Sequence, residues 1–204
     1  MRAVTRVEGP AVVIDRPNID TDQIIPAAWL KRVERTGFGP GLFGAWRGDP
    51  DFVLNQPGAD LAKVLIAGPN FGCGSSREHA VWALQDFGFD AVVAPSFADI
   101  FRGNSIGAGL VTAQADESAV AAIGSALAAN PSATVLVDVV DRTVAVPAAG
   151  LTFPFALPDY ARWRLLEGLD DIGITLRHAD AIAGFEQRRP IWLPSSRPQV
   201  RAVT

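Results

Sequence analysis

Two serines and an arginine follow one another at positions 75–77, inside a segment that also holds three glycines. Serine hydroxyls and an arginine guanidinium bind carboxylates and phosphates, and the guanidinium can do so through two parallel hydrogen bonds. Gly68, Gly72 and Gly74 permit a positive φ or a close backbone approach, which is typical of a tight loop. These residue types predict an anion-binding loop within residues 68–79.

The elements on either side of this loop are a predicted strand and a predicted helix. Residues 63–67 form an apolar run typical of a buried strand, and residues 80–87 have helical spacing. Ser75 or Ser76 suits the N-cap of that helix, where free N–H groups and the helix dipole favour a bound anion. Arg77 would then add a bidentate clamp in the first turn.

The composition indicates an ordinary globular chain. With 204 residues, 49% hydrophobic and 20% charged, one domain over residues 1–204 can bury a full core. The net charge of −4 argues against a nucleic-acid partner. No apolar stretch approaches the roughly 20 residues that span a bilayer, and the N-terminus lacks a basic segment followed by an apolar one. We therefore expect a cytoplasmic protein with no membrane partner.

The cysteine count limits the chemistry that the chain can do alone. Cys73 is the single cysteine, which excludes an intrachain disulfide. One cysteine cannot by itself hold an iron–sulfur cluster or a structural zinc, since these need about three or four ligands. We expect no metal or cofactor bound by this chain, and we interpret Cys73 as a small buried apolar residue rather than a nucleophile.

Three other features have a functional interpretation beside a structural one. His79 stands four residues after Ser75, so a Ser–His hydrolase is conceivable, but a packed structural histidine is the commoner outcome. Ser105 lies in a G-x-S-x-G pattern that resembles a nucleophile elbow, although a predicted helix precedes it where the elbow needs a strand. The carboxylates of Asp15, Asp20 and Asp22 could bind a divalent metal, but a turn network is favoured.

Strand and helix patterns alternate along the chain, which predicts an α/β fold. A hairpin turning at Asp141 and Arg142 makes the sheet mixed. The Gly- and Pro-rich residues 37–58 predict a long irregular loop. We expect a helical extension from about residue 158 and a loose tail after about residue 194. The predicted strands are 11–14, 63–67, 91–94, 110–113, 134–138 and 143–146, and the predicted helices are 24–31 (interrupted at Pro26), 80–87, 96–102, 116–130 (capped by Asp116), 158–169 and 171–188.

Several segments together resemble one family. Residues 18–26, 70–79 and 94–105, with further matches at 50–56 and 169–176, are similar to the small subunits of bacterial 3-isopropylmalate dehydratase. The resemblance implies the swivelling β/β/α domain that aconitase carries at its C-terminus, with a mixed sheet or barrel-like core and flanking helices. It also implies a separate, larger subunit that holds a 4Fe–4S cluster, and the interconversion of 2-isopropylmalate and 3-isopropylmalate in leucine biosynthesis.

The same resemblance implies roles for individual residues. Ser75 would be the catalytic base. Ser76 and Arg77 would bind a substrate carboxylate, and Lys31 would face a carboxylate as well. The supporting residues would be Asp20 and Thr21, which orient the loop, together with Gly72 and Gly74. The segment 33–43 would carry substrate selectivity.

The sequence leaves alternative functions open. Homoaconitate, citraconate and dimethylmalate hydratases share the implied fold and loop. A serine hydrolase would use Ser105 or Ser75 with His79 or His178, and a noncatalytic module would bind anions without turnover. The expected partners are the large subunit and a small diacid, with homo-oligomers possible for the isolated chain because exposed apolar patches tend to associate.

Overall fold

The computed structural model describes residues 1–190 and 192–193. The chain divides into two compact units, Met1–Asp170 and Asp171–Thr204. The loose tail expected after residue 194 lies outside the described residues, and the single-domain interpretation stays a prediction. Across the described residues, no helix combines the length and the apolar character needed to cross a membrane.

The first unit is built on a seven-stranded mixed sheet. The strands are β1 (Arg6–Ile14), β2 (Val64–Ala67), β3 (Ala91–Ala94), β4 (Val111–Gln114), β5 (Thr134–Asp138), β6 (Thr143–Val146) and β7 (Leu151–Pro154). Their spatial order is β4-β3-β2-β1-β5-β6-β7. Neighbours from β4 to β1 are parallel, and neighbours from β1 to β7 are antiparallel.

Strand β1 joins the two halves of the sheet. Its C-terminal residues 11–14 pair in parallel with β2, and its N-terminal residues 6–10 pair antiparallel with β5. The far edges then approach each other, because the N–H of Ala156, just after β7, donates to the Gln114 carbonyl at 2.7 Å. This bridge curls the sheet toward a barrel and confirms the predicted mixed, barrel-like core.

The first unit contains α1 (Thr21–Ile24), α2 (Glu78–Phe87), α3 (Asp99–Ala108), α4 (Glu117–Ala129) and α5 (Asp159–Glu167), and the second contains α6 (Asp171–Leu176) and α7 (Ala179–Arg188). The central strands separate two hydrophobic clusters, because alternate side chains of a strand point to opposite faces. Leu65 and Ala67 of β2 join the cluster that contains Leu84 of α2, whereas Ile66 joins the cluster that contains Ile123 of α4. The loop after β2 therefore leads to the α2 face.

Several predicted boundaries were wrong. Strand β1 begins at Arg6 rather than Ala11, because residues 6–10 pair with a different strand from residues 11–14. Strand β7 was not predicted. Helix α3 runs to Ala108 instead of Arg102, because Gly103 and Gly107 do not interrupt it, and it ends where Gly109 takes φ +87°.

The helix predicted over residues 171–188 is two helices. The N–H groups of Arg177 and His178 bond to carbonyls three residues earlier, which tightens the end of α6, and α7 begins at Ala179. The helix predicted over residues 24–31 is interrupted at Pro26 as predicted, with α1 before it and a 3₁₀ turn, Ala27–Lys31, after it, but α1 begins earlier, at Thr21. Asp116 precedes α4 as predicted, but its side chain makes no capping hydrogen bond.

Candidate active site

The serine–arginine loop connects β2 to α2, as predicted, but it does not cap the helix as predicted. Helix α2 begins at Glu78, and its N-cap residue is Arg77, so Ser75 and Ser76 precede the helix. Thr21 accounts for this difference. Its N–H donates to the Cys73 carbonyl and its hydroxyl donates to the Ser75 carbonyl, both at 2.9 Å. The backbone of the loop is held by the segment after β1 before the helix starts.

Further hydrogen bonds join the segment after β1 to the serine–arginine loop. Asn18 donates its N–H to the Pro69 carbonyl at 2.9 Å, and Gly72 donates its N–H to the Ile19 carbonyl at 2.8 Å. The Asn70 amide donates to the Asn18 side chain at 2.8 Å, and both asparagines have a positive φ, 59° and 57° respectively. Residues 18–21 and 69–75 thus form two facing, hydrogen-bonded segments, which we call the paired segments.

Helix α1 stiffens one of the paired segments. Asp20 accepts the Gln23 N–H at 2.7 Å, and the Gln23 side chain accepts the Asp20 N–H at 3.0 Å, which together form a capping box. Asp20 therefore belongs to a turn network, the interpretation favoured for the Asp15, Asp20 and Asp22 group. Thr21 is 2% exposed, and both Asp20 and Thr21 lie against the serine loop.

Two glycines in the loop are required for different reasons. Gly72 has φ +76°, and a Cβ there would lie 2.2 Å from Cγ of Phe101, so both the backbone and the packing demand glycine. Gly74 has φ +88°, but a Cβ would meet nothing closer than 3.5 Å. There the backbone conformation alone favours glycine.

Arg77 has a partner that the sequence does not reveal. Its Nη1 donates to Oδ1 of Asp22 in an ion pair. The Arg77 side chain is 16% exposed and that of Asp22 is 57% exposed. The sequence predicts only a turn network for Asp22, because the two residues stand 55 positions apart and give no local signal. The pair adds a charged contact beyond the end of the paired segments.

Ser75 and Ser76 are both exposed on the loop. Within the described residues, neither hydroxyl hydrogen-bonds to another protein group, so both can bind a ligand. Lys31 lies at the end of a 3₁₀ turn and is also exposed. No hydrogen bond or ion pair among the described residues joins Lys31 to the loop. The structure therefore brings together Asp20, Thr21, Gly72, Gly74, Ser75 and Arg77, and it does not link Lys31 to them.

The environments of Cys73 and His79 favour structural roles. Burial raises the pKa of the Cys73 thiol, and the negative charge of Asp20 raises that pKa further. A thiol with a raised pKa is a poor nucleophile at neutral pH, because the thiolate is the reactive form. The His79 ring packs against Phe38 and Trp82, with centroids 5.3 Å and 4.7 Å away. His79 is thus part of an aromatic cluster.

The segment expected to carry selectivity divides into an exposed half and a buried half. Residues 33–37 are exposed, and Val33 presents 94% of its surface. Phe38, Leu42 and Phe43 are fully buried. The Phe38 N–H donates to the Asp86 carboxylate of α2 at 2.8 Å, and Arg32 donates to the Gly37 carbonyl at 2.7 Å. Residues 33–37 therefore form a short exposed loop that is closed at its base.

Ser105 does not fit the nucleophile elbow. It lies inside α3, and its side chain is fully buried. An elbow would present the serine on a sharp turn between a strand and a helix, open to substrate. The geometry argues against a hydrolase that uses Ser105.

Comparison with known proteins first defines the class. Residues 1–118 match the model of the aconitase C-terminal domain, which covers more than half of the chain. Residues 171–194 match the C-terminal domain of the 3-isopropylmalate dehydratase small subunit. The fold and the serine–arginine loop thus define an aconitase-type small domain.

Full-length relatives make the assignment specific. The chain is 57% identical to the 3-isopropylmalate dehydratase small subunit of Frankia alni over 96% of this chain and 100% of that protein. It is 58% identical to the protein of the same name from a Nocardioides species, over 96% and 98% of the two chains. The chain belongs to the family of 3-isopropylmalate dehydratase small subunits, which confirms the predicted family, a hydro-lyase of leucine biosynthesis.

A solved structure agrees with this assignment. The 3-isopropylmalate dehydratase structure from Methanocaldococcus jannaschii superposes with a TM-score of 0.68 at 25% identity, and covers 88% of this chain and 98% of its own. The likeness in fold extends over most of both chains.

Proposed function

We propose that this chain, joined to a large subunit, supplies the base and a carboxylate-binding site for the interconversion of 2-isopropylmalate and 3-isopropylmalate. The observation that supports the proposal most directly is the Ser75-Ser76-Arg77 turn, in which both serines are exposed and the Ser75 carbonyl is hydrogen-bonded by Thr21. A loop fixed at its backbone, with two exposed hydroxyls beside a largely buried guanidinium, suits a small diacid.

Ser75 acts as the base that removes a carbon-bound proton. A serine hydroxyl is a weak acid, so its ionised form needs positive potential nearby. The Arg77 guanidinium two residues away and the N-terminus of α2 are the sources of such potential in this chain. Arg77 is thus both a carboxylate ligand and a positive charge near Ser75. Its stabilisation of the ionised serine would be greatest when water is excluded from the loop, because the charge is then less screened.

Ser76 and Arg77 bind one substrate carboxylate, and Lys31 faces a carboxylate as well. The Ser76 hydroxyl can donate one hydrogen bond, and the guanidinium can donate two in parallel. The exposed residues 33–37 would then contact the isopropyl group, with Val33 the apolar side chain that is most open. Asp20 and Thr21 keep the loop in place and do not touch the substrate.

The cluster implied by the family does not fit this chain. Cys73 is its single cysteine, and no three His, Cys, Asp or Glu side chains group together within the described part. We therefore assign the 4Fe–4S cluster to the large subunit, where it would act as the Lewis acid for the departing hydroxide. This chain itself supplies proton removal by Ser75 and carboxylate binding by Ser76 and Arg77.

The partner and the location remain predictions of the same proposal. The family name of small subunit implies a large subunit. The cytoplasmic location, the absence of a nucleic-acid partner, and homo-oligomers of the isolated chain follow from the sequence and await measurement.

The test is an anaerobic assay of 2-isopropylmalate turnover, in which the absorbance of the enedioate intermediate is monitored. The chain, the large subunit and their mixture are assayed separately, and we expect turnover only in the mixture. Ser75→Ala should lower kcat by at least about 100-fold, the usual scale for loss of a general base. Ser125→Ala, at an exposed serine on α4 whose hydroxyl donates to the Ala121 carbonyl, is the matched control and should leave kcat unchanged.

Different failures have different meanings. Full activity in Ser75→Ala would remove Ser75 as the base while leaving the family assignment intact. Turnover of a homologous diacid in place of 2-isopropylmalate would change the substrate but not the mechanism. No turnover of any diacid, with an intact cluster on the large subunit, would favour a noncatalytic anion-binding module.

A further inference from the structure

We propose that Asp22 is a positioning residue that fixes the orientation of the Arg77 guanidinium for the substrate carboxylate. This inference rests on the proposed role of Arg77 as the carboxylate ligand. The observation behind it is the ion pair between Arg77 Nη1 and Asp22 Oδ1, which joins two residues far apart in sequence.

The backbone that carries Asp22 is held from both sides. The capping box between Asp20 and Gln23 encloses Asp22 within one turn of α1. The preceding residue, Thr21, is pinned to Cys73 and Ser75 of the opposite segment by its two hydrogen bonds of 2.9 Å. Because its neighbours are fixed, the Asp22 carboxylate is presented to Arg77 with little backbone freedom.

The guanidinium is well suited to being oriented by a single contact. It is planar and rigid and carries five N–H donors, so a bond at one nitrogen sets the direction of the other donors. In the described part of the chain, Asp22 is the one residue that bonds to the Arg77 side chain, through Nη1. The Nε and Nη2 groups therefore remain for a ligand, and together they form the edge that binds a carboxylate through two bonds.

Asp22 could instead compete with the substrate for Arg77, and the direction in which removal of Asp22 changes diacid affinity distinguishes the two roles. If Asp22 competed with the substrate for Arg77, its removal would strengthen diacid binding. The exposed fraction of its side chain, 57%, means that its charge is screened by solvent. Orientation of the largely buried Arg77 is then the stronger effect, so removal of Asp22 should weaken diacid binding.

The experiment is a double-mutant cycle on binding to the complex with the large subunit. The ligand is 2-isopropylsuccinate, a saturated diacid that lacks the hydroxyl and cannot be dehydrated, and its Kd is measured by calorimetry under anaerobic conditions. We expect Arg77→Ala to raise Kd about 100-fold and Asp22→Ala about tenfold, with the double variant no weaker than Arg77→Ala alone. A residue that acts only through Arg77 loses its effect once Arg77 is gone.

Two further variants separate positioning from a general structural effect. Asp22→Asn keeps an acceptor oxygen without the charge, and should restore Kd to within about threefold of the unmodified complex. Asp15→Ala removes a carboxylate that makes no hydrogen bond or ion pair among the described residues, and should leave Kd unchanged. Thermal unfolding of each variant checks that the chain is folded.

Unchanged or tighter binding in Asp22→Ala would overturn the proposal, and so would a double variant whose loss equals the product of the two single losses. Unaltered binding in Arg77→Ala would instead overturn the carboxylate role of Arg77. These outcomes separate failure of the inference from failure of the proposed function.

Discussion

At the scale of single residues, the site depends on how side chains are held as much as on which ones are present. Ser75 and Ser76 are open to a ligand, whereas Arg77 is largely buried and paired with Asp22. A guanidinium just before a helix N-terminus opposes the helix dipole, and the Asp22 carboxylate offsets that repulsion. Arg77 can therefore keep its place at the start of α2 without a bound anion.

The geometry of the Arg77 side chain leads to the first prediction. Arg77→Lys keeps the charge but loses the planar fork, so it cannot contact Asp22 and bind a carboxylate through two bonds at once. We expect kcat/KM of the assembled enzyme to fall by at least about 100-fold with little change in thermal stability. Arg6→Lys, in an exposed pair with Glu8, is the matched control. Near-normal kcat/KM in Arg77→Lys would show that the bidentate geometry is not used.

Cys73 provides a prediction about pH. Because burial and then Asp20 raise the pKa of its thiol, the thiolate forms at a higher pH in the folded chain than in the unfolded chain. Alkylation by iodoacetamide near pH 8 should be slower in the folded chain than in urea, and should rise with pH across a higher range. Asp20→Asn should lower that pKa and speed alkylation, whereas Asp15→Asn should not. Equal folded and unfolded profiles would contradict the expected shift.

At the scale of elements, the strand–loop–helix unit around the serines was predictable, but its counterpart was not. The apolar run before Gly68 and the helical spacing after His79 are local signals, and both elements were found. The hydrogen bonds between residues 18–21 and 69–75 depend on the pairing of β1 with β2, which no local pattern encodes. For that reason, the start of α2 at Glu78 and the contact between Asp22 and Arg77 were missed.

Other misses have similar causes. The short β7, Leu151–Pro154, pairs only along one edge with β6, and its alternation of half-buried and exposed residues is a weak signal. The helix predicted to end at Arg102 continues to Ala108, because tertiary packing of the buried Phe101 and Ile106 outweighs the low intrinsic propensity of Gly103 and Gly107.

Gly72 tests the fit between the loop and α3. Gly72→Ala would place a Cβ 2.2 Å from Phe101 at a residue with φ +76°. We expect the free energy of unfolding to fall by about 2 kcal/mol or more, with loss of turnover, because both the backbone and the core must shift. Gly48→Ala is the matched control, since a Cβ there meets nothing within 4 Å. Equal urea midpoints for the two variants would contradict the tight contact.

At the scale of the whole molecule, the buried core belongs to the first unit. Both hydrophobic clusters consist of residues between Met1 and Leu166, whereas α6 and α7 contain no buried residue. The hydrophobic residues that cover the curled sheet, which is bridged between Gln114 and Ala156, therefore all precede Asp171 in the sequence.

Truncation after Asp170 tests this division. We expect the shortened chain to fold and to unfold cooperatively, with a Tm within about 5 °C of the full chain, because none of the described residues after Asp170 is buried. Differential scanning calorimetry gives the measurement, and the circular dichroism spectrum should lose helix but retain strand. A chain without a cooperative transition would show that the second unit is needed for the stability of the first.

The pairing of β1 with β2 has a consequence for folding fidelity. Val12 and Leu65 are partners in that register, and Thr21 reaches the Ser75 carbonyl only when the register is correct. A slip of one residue would turn the apolar side chains of β1 to the wrong face and would also carry Asp22 away from Arg77. A misregistered chain would therefore be catalytically silent even if it stayed compact, so turnover reports on strand alignment more sensitively than bulk secondary structure does.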